Sequence, residues 1–297
     1  VGFVKYINRL VTDFVPKKLI IVWEQGGPSP RRKKIYEGYK ANRSKDKDTF
    51  KNLNSDSTSR KWILDDSENK IKQLHLLTNI LKNLPVCQIY IQDTEADDII
   101  AYLLKFKYQN DLSKKILVSS DKDFYQLLEN ENTNIYDPAK KIFITGEKVL
   151  SEYKISPRNF CLARTMVGDP SDNIDGIDGI GLKTVAKRFP KLAETDKDYQ
   201  LNDLVDFCNE YINNKSKIKA YQDILDNKEI IERNWDLMYL DTSTLSSSQI
   251  QKIDYAVDTH KPQMNKLGLI KTMIEAGVVT DLDFDKLSIQ MKSTLIE

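Results

Sequence analysis

Between Val1 and about residue 150, short β-branched apolar runs alternate with helical periodicity. Such alternation restricts a chain to an α/β fold, with a mostly parallel central sheet flanked by helices. Leu19, Ile20, Ile21, Val22 and Trp23 form the first run, too short for a helix and suited to a buried strand. Gln88–Ile91 and Lys115–Ser119 repeat it. Helical spacing appears at Val4, Ile7, Leu10, Val11 and Phe14, again around 68–82, from Glu95 to about Lys107, and from Phe124 to Leu128. The segments Asn132–Tyr136 and Lys141–Thr145, joined by Asp137–Pro138–Ala139–Lys140, read as an edge hairpin. From Gly146 the pattern is mostly helical, which predicts a core over 1–150 and a helical part over 151–297.

Chemistry is bounded by what the chain lacks. Cys87, Cys161 and Cys208 are far apart and show no CxxC spacing, so neither a disulfide framework nor a zinc ribbon is supported and a reducing compartment is expected. His75 and His260 have no ligand-spaced neighbours, which argues against a zinc site or a Ser-His-Asp triad. No apolar run approaches the roughly 18 residues of a membrane span. The opening VGFVKYINRLVTDF has no signal-peptide pattern, and a start at Val1 predicts a truncated or processed end. A cytoplasmic monomer is expected.

Acidic residues gather where strands give way to helices. Glu24 follows the first strand, Glu95, Asp97 and Asp98 open a helix, Asp121 and Asp123 follow the next strand, and Asp169 and Asp172 precede a glycine-rich turn. Each group has an ordinary explanation in isolation: helix-dipole stabilisation, capping, or a turn. Ligands of open α/β sheets bind at the carboxyl ends of strands, so the first three groups should converge. Eight uncompensated carboxylates would repel, and hard divalent cations such as Mg2+ or Mn2+ relieve that repulsion through oxygen ligation. The formal charge is +1; setting those eight aside from 44 acids leaves a basic excess of nine over the rest, a balance suited to binding phosphate.

The strings TEADDIIAYL, VSSDKDFYQLL and MVGDPSDNIDGIDGIGLKTVAKRF, in that order, resemble the flap endonuclease or 5′–3′ exonuclease family, which includes phage enzymes and the 5′ nuclease domain of bacterial DNA polymerase I. IVWEQGGPSPRRKKIYEGYKANR resembles that family's second strand and the basic entry to its helical arch. The resemblance implies a PIN-like nuclease core with an arch over about 36–82, and a helix–three-turn–helix DNA-binding element over about 157–190. It implies two divalent cations held by Glu24, Glu95, Asp97, Asp98, Asp121, Asp123, Asp169 and Asp172. Lys40 and Arg43 would stabilise charge on the scissile phosphate. Two departures stand out. The family has Asp where this chain has Glu24, and it opens with a strand bearing an aspartate that would lie upstream of Val1.

Two further segments predict nucleic-acid contact. Gly176, Gly179 and Gly181 lead into Lys183 and Thr184 at a helix start, where backbone N–H groups can meet phosphate. The family holds a monovalent cation, K+, at this element. Arg31, Arg32, Lys33, Lys34, Lys40 and Arg43 are interleaved with Tyr36 and Tyr39, a combination suited to phosphate neutralisation and base stacking. The polar stretch from Ser44 to about Lys61 would complete the arch, with Lys45, Lys47, Lys51, Arg60 and Lys61 as weaker phosphate contacts. Near the C-terminus, Ile230, Ile231, Trp235, Leu237 and Met238 have the spacing of a core-facing helix.

The activity implied is metal-dependent 5′–3′ exonucleolytic or flap cleavage of branched or 5′-ended DNA or RNA/DNA duplex, in primer removal during replication in a bacterial or phage-infected cell, with replication proteins as partners. RNase H activity belongs to the same set. The rivals are a catalytically impaired structure-specific DNA-binding protein of the same fold and a single-stranded RNA nuclease of the PIN type.

Overall fold

The computed structural model describes residues 1–24, 27–42, 57–214, 218–278 and 280–295, with the backbone alone over 57–68. Two compact units emerge, one from Val1–Glu24, Lys47–Gln92 and Ser246–Glu297, the other from Gln25–Asp46 and Asp93–Leu245. They interleave along the sequence. The shift to helical periodicity at Gly146 falls inside the second unit.

In the first unit, Gly2–Phe14 is a helix whose Val4, Ile7, Leu10 and Val11 are buried, as their spacing requires. Strand β1 (Ile20–Val22) pairs in parallel with β2 (Cys87–Ile89), with Ile20 opposite Cys87 and Val22 opposite Ile89. The helix Ser57–Leu81 begins well before the expected residue 68 and delivers Ile80 and Leu81 to the core. Leu269, Met273, Leu287 and Met291, from the far end of the sequence, close over them. Each such side chain contributes about 1.5–3 kcal/mol when fully buried, enough to hold distant chain segments in one unit.

The second unit contains β3 (Lys115–Val118), β4 (Thr133–Asp137) and β5 (Ile142–Ile144). β3 and β4 are parallel, and β4 and β5 form the expected hairpin. Lys141 turns that hairpin with a φ of 57°. The described strands therefore belong to separate short sheets, and the α/β class holds with parallel pairing in both units. Helix Pro157–Val167 is buried along nearly its whole length, with Phe160, Leu162 and Met166 packed against Phe124, Ile135 and Ile144. Ile231, Leu237 and Met238 of helix Lys228–Met238 are buried as its periodicity predicts. Among the described residues no helix is long and apolar enough to cross a membrane.

Candidate metal and nucleic-acid site

Seven of the eight acids lie in the second unit; Glu24 is exposed at the end of β1 in the first. Glu95 stands at the N-cap position of helix Ala96–Tyr102 with its side chain turned to other partners, and Asp97 and Asp98 occupy the first turn, where the helix dipole favours them. That ordinary role is only part of their surroundings. Arg32, fully buried, stands among all three: Nη1 lies 3.0 Å from Glu95 and 3.1 Å from Asp97, and Nη2 lies 3.0 Å from Asp98. Its Nε donates to the Leu237 carbonyl at 2.9 Å.

Glu95 is the most heavily engaged carboxylate. It accepts from the Ser29 N–H at 2.8 Å, the Tyr39 hydroxyl at 3.1 Å and the Lys40 ammonium at 2.5 Å, and only 1% of its surface is exposed. Burial works to raise its pKa, but Arg32, Lys40 and the Ser29 N–H outweigh burial and hold it at about 2. Asp98 goes the other way: burial and Asp97 push it up to about 7 against the pull of Arg32.

A second arginine joins the remaining motifs. Asp121 caps the 3-10 turn Lys122–Leu127 by accepting from the Asp123 N–H at 2.9 Å, and Asp169 caps Pro170–Asp172 by accepting from Ser171. Arg164 lies between them, 3.2 Å from Asp123 and 2.6 Å from Asp169. Burial, with Asp121 and Asp169 nearby, raises Asp123 to about 7 although Arg164 opposes it. Tyr39 completes the linkage, since its hydroxyl reaches Glu95 and, at 3.5 Å, Asp172. The three acidic motifs of this unit thus form one network tied by Arg32, Tyr39, Lys40 and Arg164.

Tyr39 departs from its expected role. Its ring is 4% exposed and packs with Cys161, Ile174, Leu237 and Met238, so it is a buried hydrogen-bond donor and offers no face to a base. Tyr36 lies under the Arg233 guanidinium, 4.3 Å away, and its ring tip covers Gly38. Arg43, Lys45, Lys47 and Lys51 lie outside the described residues, as do the side chains of Arg60 and Lys61.

The glycines of the turn divide by cause. A Cβ on Gly176 would stand 2.1 Å from the Val167 carbonyl oxygen, so this glycine serves internal packing. Gly179 has a φ of 75° and Gly181 caps helix Leu182–Arg188, and beside both there is open space. Lys183 is exposed next to them and Thr184 half-buried, while Ile177 and Ile180 anchor the turn in the core.

Pattern and spacing do not single out Arg164, whose one signal is a charge inside the apolar run CLARTMV, five positions before Asp169. Arg32 was visible only as one member of a basic run, because nothing in RRKK tells a buried cation from solvated ones.

Known proteins resemble this chain in sequence and in fold. Residues 1–154 match the family described as the 5′-3′ exonuclease, N-terminal resolvase-like domain. A 5′-3′ exonuclease of Buchnera aphidicola is 28% identical over 198 residues, 67% of this chain and 62% of that protein. One from Aquifex aeolicus is 29% identical over 66% of this chain and 60% of its own length. The thermostable DNA polymerase I of Thermus thermophilus is 29% identical over 63% of this chain and 19% of the polymerase. The matched region therefore spans about three fifths of the exonuclease relatives. In fold, the chain is similar to the bacteriophage T5 flap endonuclease solved as a pseudo-enzyme-product complex with DNA and metal ions, at a TM-score of 0.63 and 19% identity over 93% of this chain and 90% of that one.

Proposed function

The chain belongs to the family of the 5′-3′ exonuclease N-terminal, resolvase-like domain, and from that premise we propose that it is a divalent-metal-dependent 5′ nuclease hydrolysing phosphodiesters of branched or 5′-ended DNA or RNA-primed DNA. One observation carries this reading: three acidic motifs distant in sequence form a single network beside a glycine-rich turn with open space at Gly179 and Gly181. The named activity of the exonuclease relatives and of the T5 flap endonuclease supports it.

The donor set fits a hard cation. Among the described residues no three acids are grouped as a ready cage, but magnesium is commonly held by one or two carboxylates, with waters and substrate phosphate filling the remainder. Glu95, Asp97 and Asp98 would hold one ion, and Asp121, Asp123, Asp169 and Asp172 the other. Bound divalent ions supply water activation and neutralisation of charge at the phosphate. Mg2+ and Mn2+ both suit oxygen donors, and K+ would occupy the glycine-rich turn.

The chain's own residues do the rest. Arg32 and Arg164 keep the carboxylates from repelling one another and fix their directions. Lys40, held at Glu95, places a positive charge beside the acids, where with Arg43 it would stabilise charge on the scissile phosphate. Backbone N–H groups near Gly179 and Gly181, with Lys183 and Thr184, would bind the duplex backbone. Replication proteins are its proposed partners.

The test is cleavage of a 5′-flap duplex and an RNA-primed duplex. Cutting is expected with Mg2+ or Mn2+ and is lost with chelator or in Asp121→Ala. Cleavage that survives chelation overturns the metal-dependent mechanism, whereas flap binding without cutting at any metal concentration favours the catalytically impaired binding protein.

A further inference from the structure

The segment 36–42 is fastened to the turn 168–173 by hydrogen bonds that none of the acidic side chains supplies. The Asn173 amide donates to the Gly38 carbonyl at 2.7 Å, and the Lys40 N–H donates to the Asp172 carbonyl at 2.8 Å. Asn42 adds a strap, donating to the Pro170 carbonyl at 2.9 Å and the Ser171 carbonyl at 3.3 Å. Lys40 and Asn173 both have left-handed backbones, with φ of 56° and 58°.

For asparagine that conformation is ordinary. For lysine it is strained, because Cβ crowds the following carbonyl oxygen, and it persists only where surrounding structure compensates. Here the compensation is visible. In this conformation the Lys40 N–H meets the Asp172 carbonyl while its side chain runs to Glu95, with the ammonium 2.5 Å from Oε2 and the side chain only 10% exposed. Relaxation of Lys40 to a right-handed or extended backbone would redirect both groups. Two residues earlier, the Gly38 carbonyl accepts from both the Asn173 amide and the Ala41 N–H at 3.0 Å, and a Cβ on Gly38 would stand 2.6 Å from the Tyr36 ring and force that ring to shift.

We propose that Asn173 is a positioning residue for Lys40: its amide, by holding the Gly38 carbonyl, keeps Lys40 in the left-handed conformation that aims its ammonium at Glu95. The consequence for cleavage rests on the nuclease reading above. The positional claim can be tested without cleavage.

Asn173→Gly keeps the left-handed backbone accessible and removes only the amide. Acylation of lysines by an amine reagent, followed by peptide mass mapping, reads the position directly. Lys40 should react slowly in the wild type and several-fold faster in Asn173→Gly, while the exposed Lys33 and Lys34 react equally in both. On a flap substrate kcat should fall roughly 10-fold or more with KM changed less than about twofold, as expected when a charged group is misplaced. In a Lys40→Ala background the same change should have no further effect. Asn173→Asp, which tolerates the same backbone and sets a carboxylate against the Gly38 carbonyl, should move each readout the same way and serves if the glycine variant melts early. Unchanged acylation of Lys40, or a rate loss that multiplies equally in both backgrounds, overturns the proposal. If the wild type cuts no substrate, the nuclease reading fails and the acylation result still decides whether Asn173 sets Lys40.

Discussion

Arg32 holds Asp98 through both guanidinium ends, Nη2 donating to Oδ1 at 3.0 Å and Nη1 to Oδ2 at 3.2 Å, and both residues are shut away from solvent. A buried pair of this kind adds little net stability over an apolar replacement of both partners, yet breaking it from one side strands a charge. Arg32 also faces Glu95 and Asp97, so its loss would leave three close carboxylates with Lys40 at Glu95 and Arg31 3.9 Å from Asp98 as their cations. Arg32→Ala should therefore lower unfolding free energy by about 3–5 kcal/mol in metal-free buffer. Arg32→Lys should recover only part of this, because an ammonium cannot span Asp98 and the Leu237 carbonyl together. Urea unfolding reads the difference, and a loss below about 1 kcal/mol would show that the pair is not organising the site.

The same carboxylates predict how metal-free protein responds to pH. Asp98 and Asp123 each stand at about 7 in the fold, well above their unfolded value of about 3.9. A carboxyl raised on folding stays protonated in the native state after the unfolded chain has released its proton. The resulting penalty is absent below about pH 4, grows as pH rises and is complete above about pH 7. Glu95, at about 2, has the opposite sign, but its favourable contribution is already full above about pH 5. Between pH 5 and 8 the two raised groups dominate, so Tm in chelator should fall as pH rises, and saturating Mg2+ or Mn2+ should flatten the trend by neutralising the ionised acids. Calorimetry across that range tests the sign. Asp98→Asn should show a shallower fall, and a wild-type Tm that climbs from pH 5 to 8 with an unchanged slope in Asp98→Asn contradicts the assignment.

What could be read from the sequence divides along a physical line. Periodicity and chain-local chemistry were legible: β1 to β5, the helix starting at Glu95 and the capping acids Asp121 and Asp169 all lie where pattern and turn chemistry put them. Partnership across the fold was not. YEGYKAN looks the same whether Tyr39 faces a base or the core, and only the packing of Cys161, Ile174 and Leu237 around it decides. Leu269 and Met273 advertise an apolar helix face without naming the core that receives it, which is why the first unit draws on both ends of the sequence. Arg32 and Arg164 were obscured for a related reason, since a cation's value depends on which acids surround it.

The glycine-rich turn gives a prediction that separates packing from ligand contact. Gly176→Ala drives a Cβ into the Val167 carbonyl and should destabilise by more than about 2 kcal/mol. Gly181→Ala meets open space at an ordinary φ of −110°, so stability should stay within about 0.5 kcal/mol. If phosphate approaches the backbone there, the added methyl should weaken duplex binding with thermal stability intact. Fluorescence anisotropy with labelled duplex, paired with melting curves, makes the comparison. Equal duplex affinity of Gly181→Ala and wild type removes that glycine from the binding surface.

Arg164 and a divalent cation should compete to neutralise the same acids. Arg164 contacts Asp123 and Asp169 from the last turn of the buried helix Pro157–Val167. Arg164→Met keeps much of the side chain's apolar length, removes the charge and leaves the carboxylates facing one another. Its Tm in chelator should drop by several degrees, in line with a loss of about 3–5 kcal/mol. Mn2+ should then stabilise the variant more than the wild type, because the ion relieves a repulsion that Arg164 otherwise relieves. The measurement is the Tm gain from chelator to saturating Mn2+ in each protein. An equal gain would mean that arginine and metal act on different charges, and would remove Asp123 and Asp169 from the proposed ligand set.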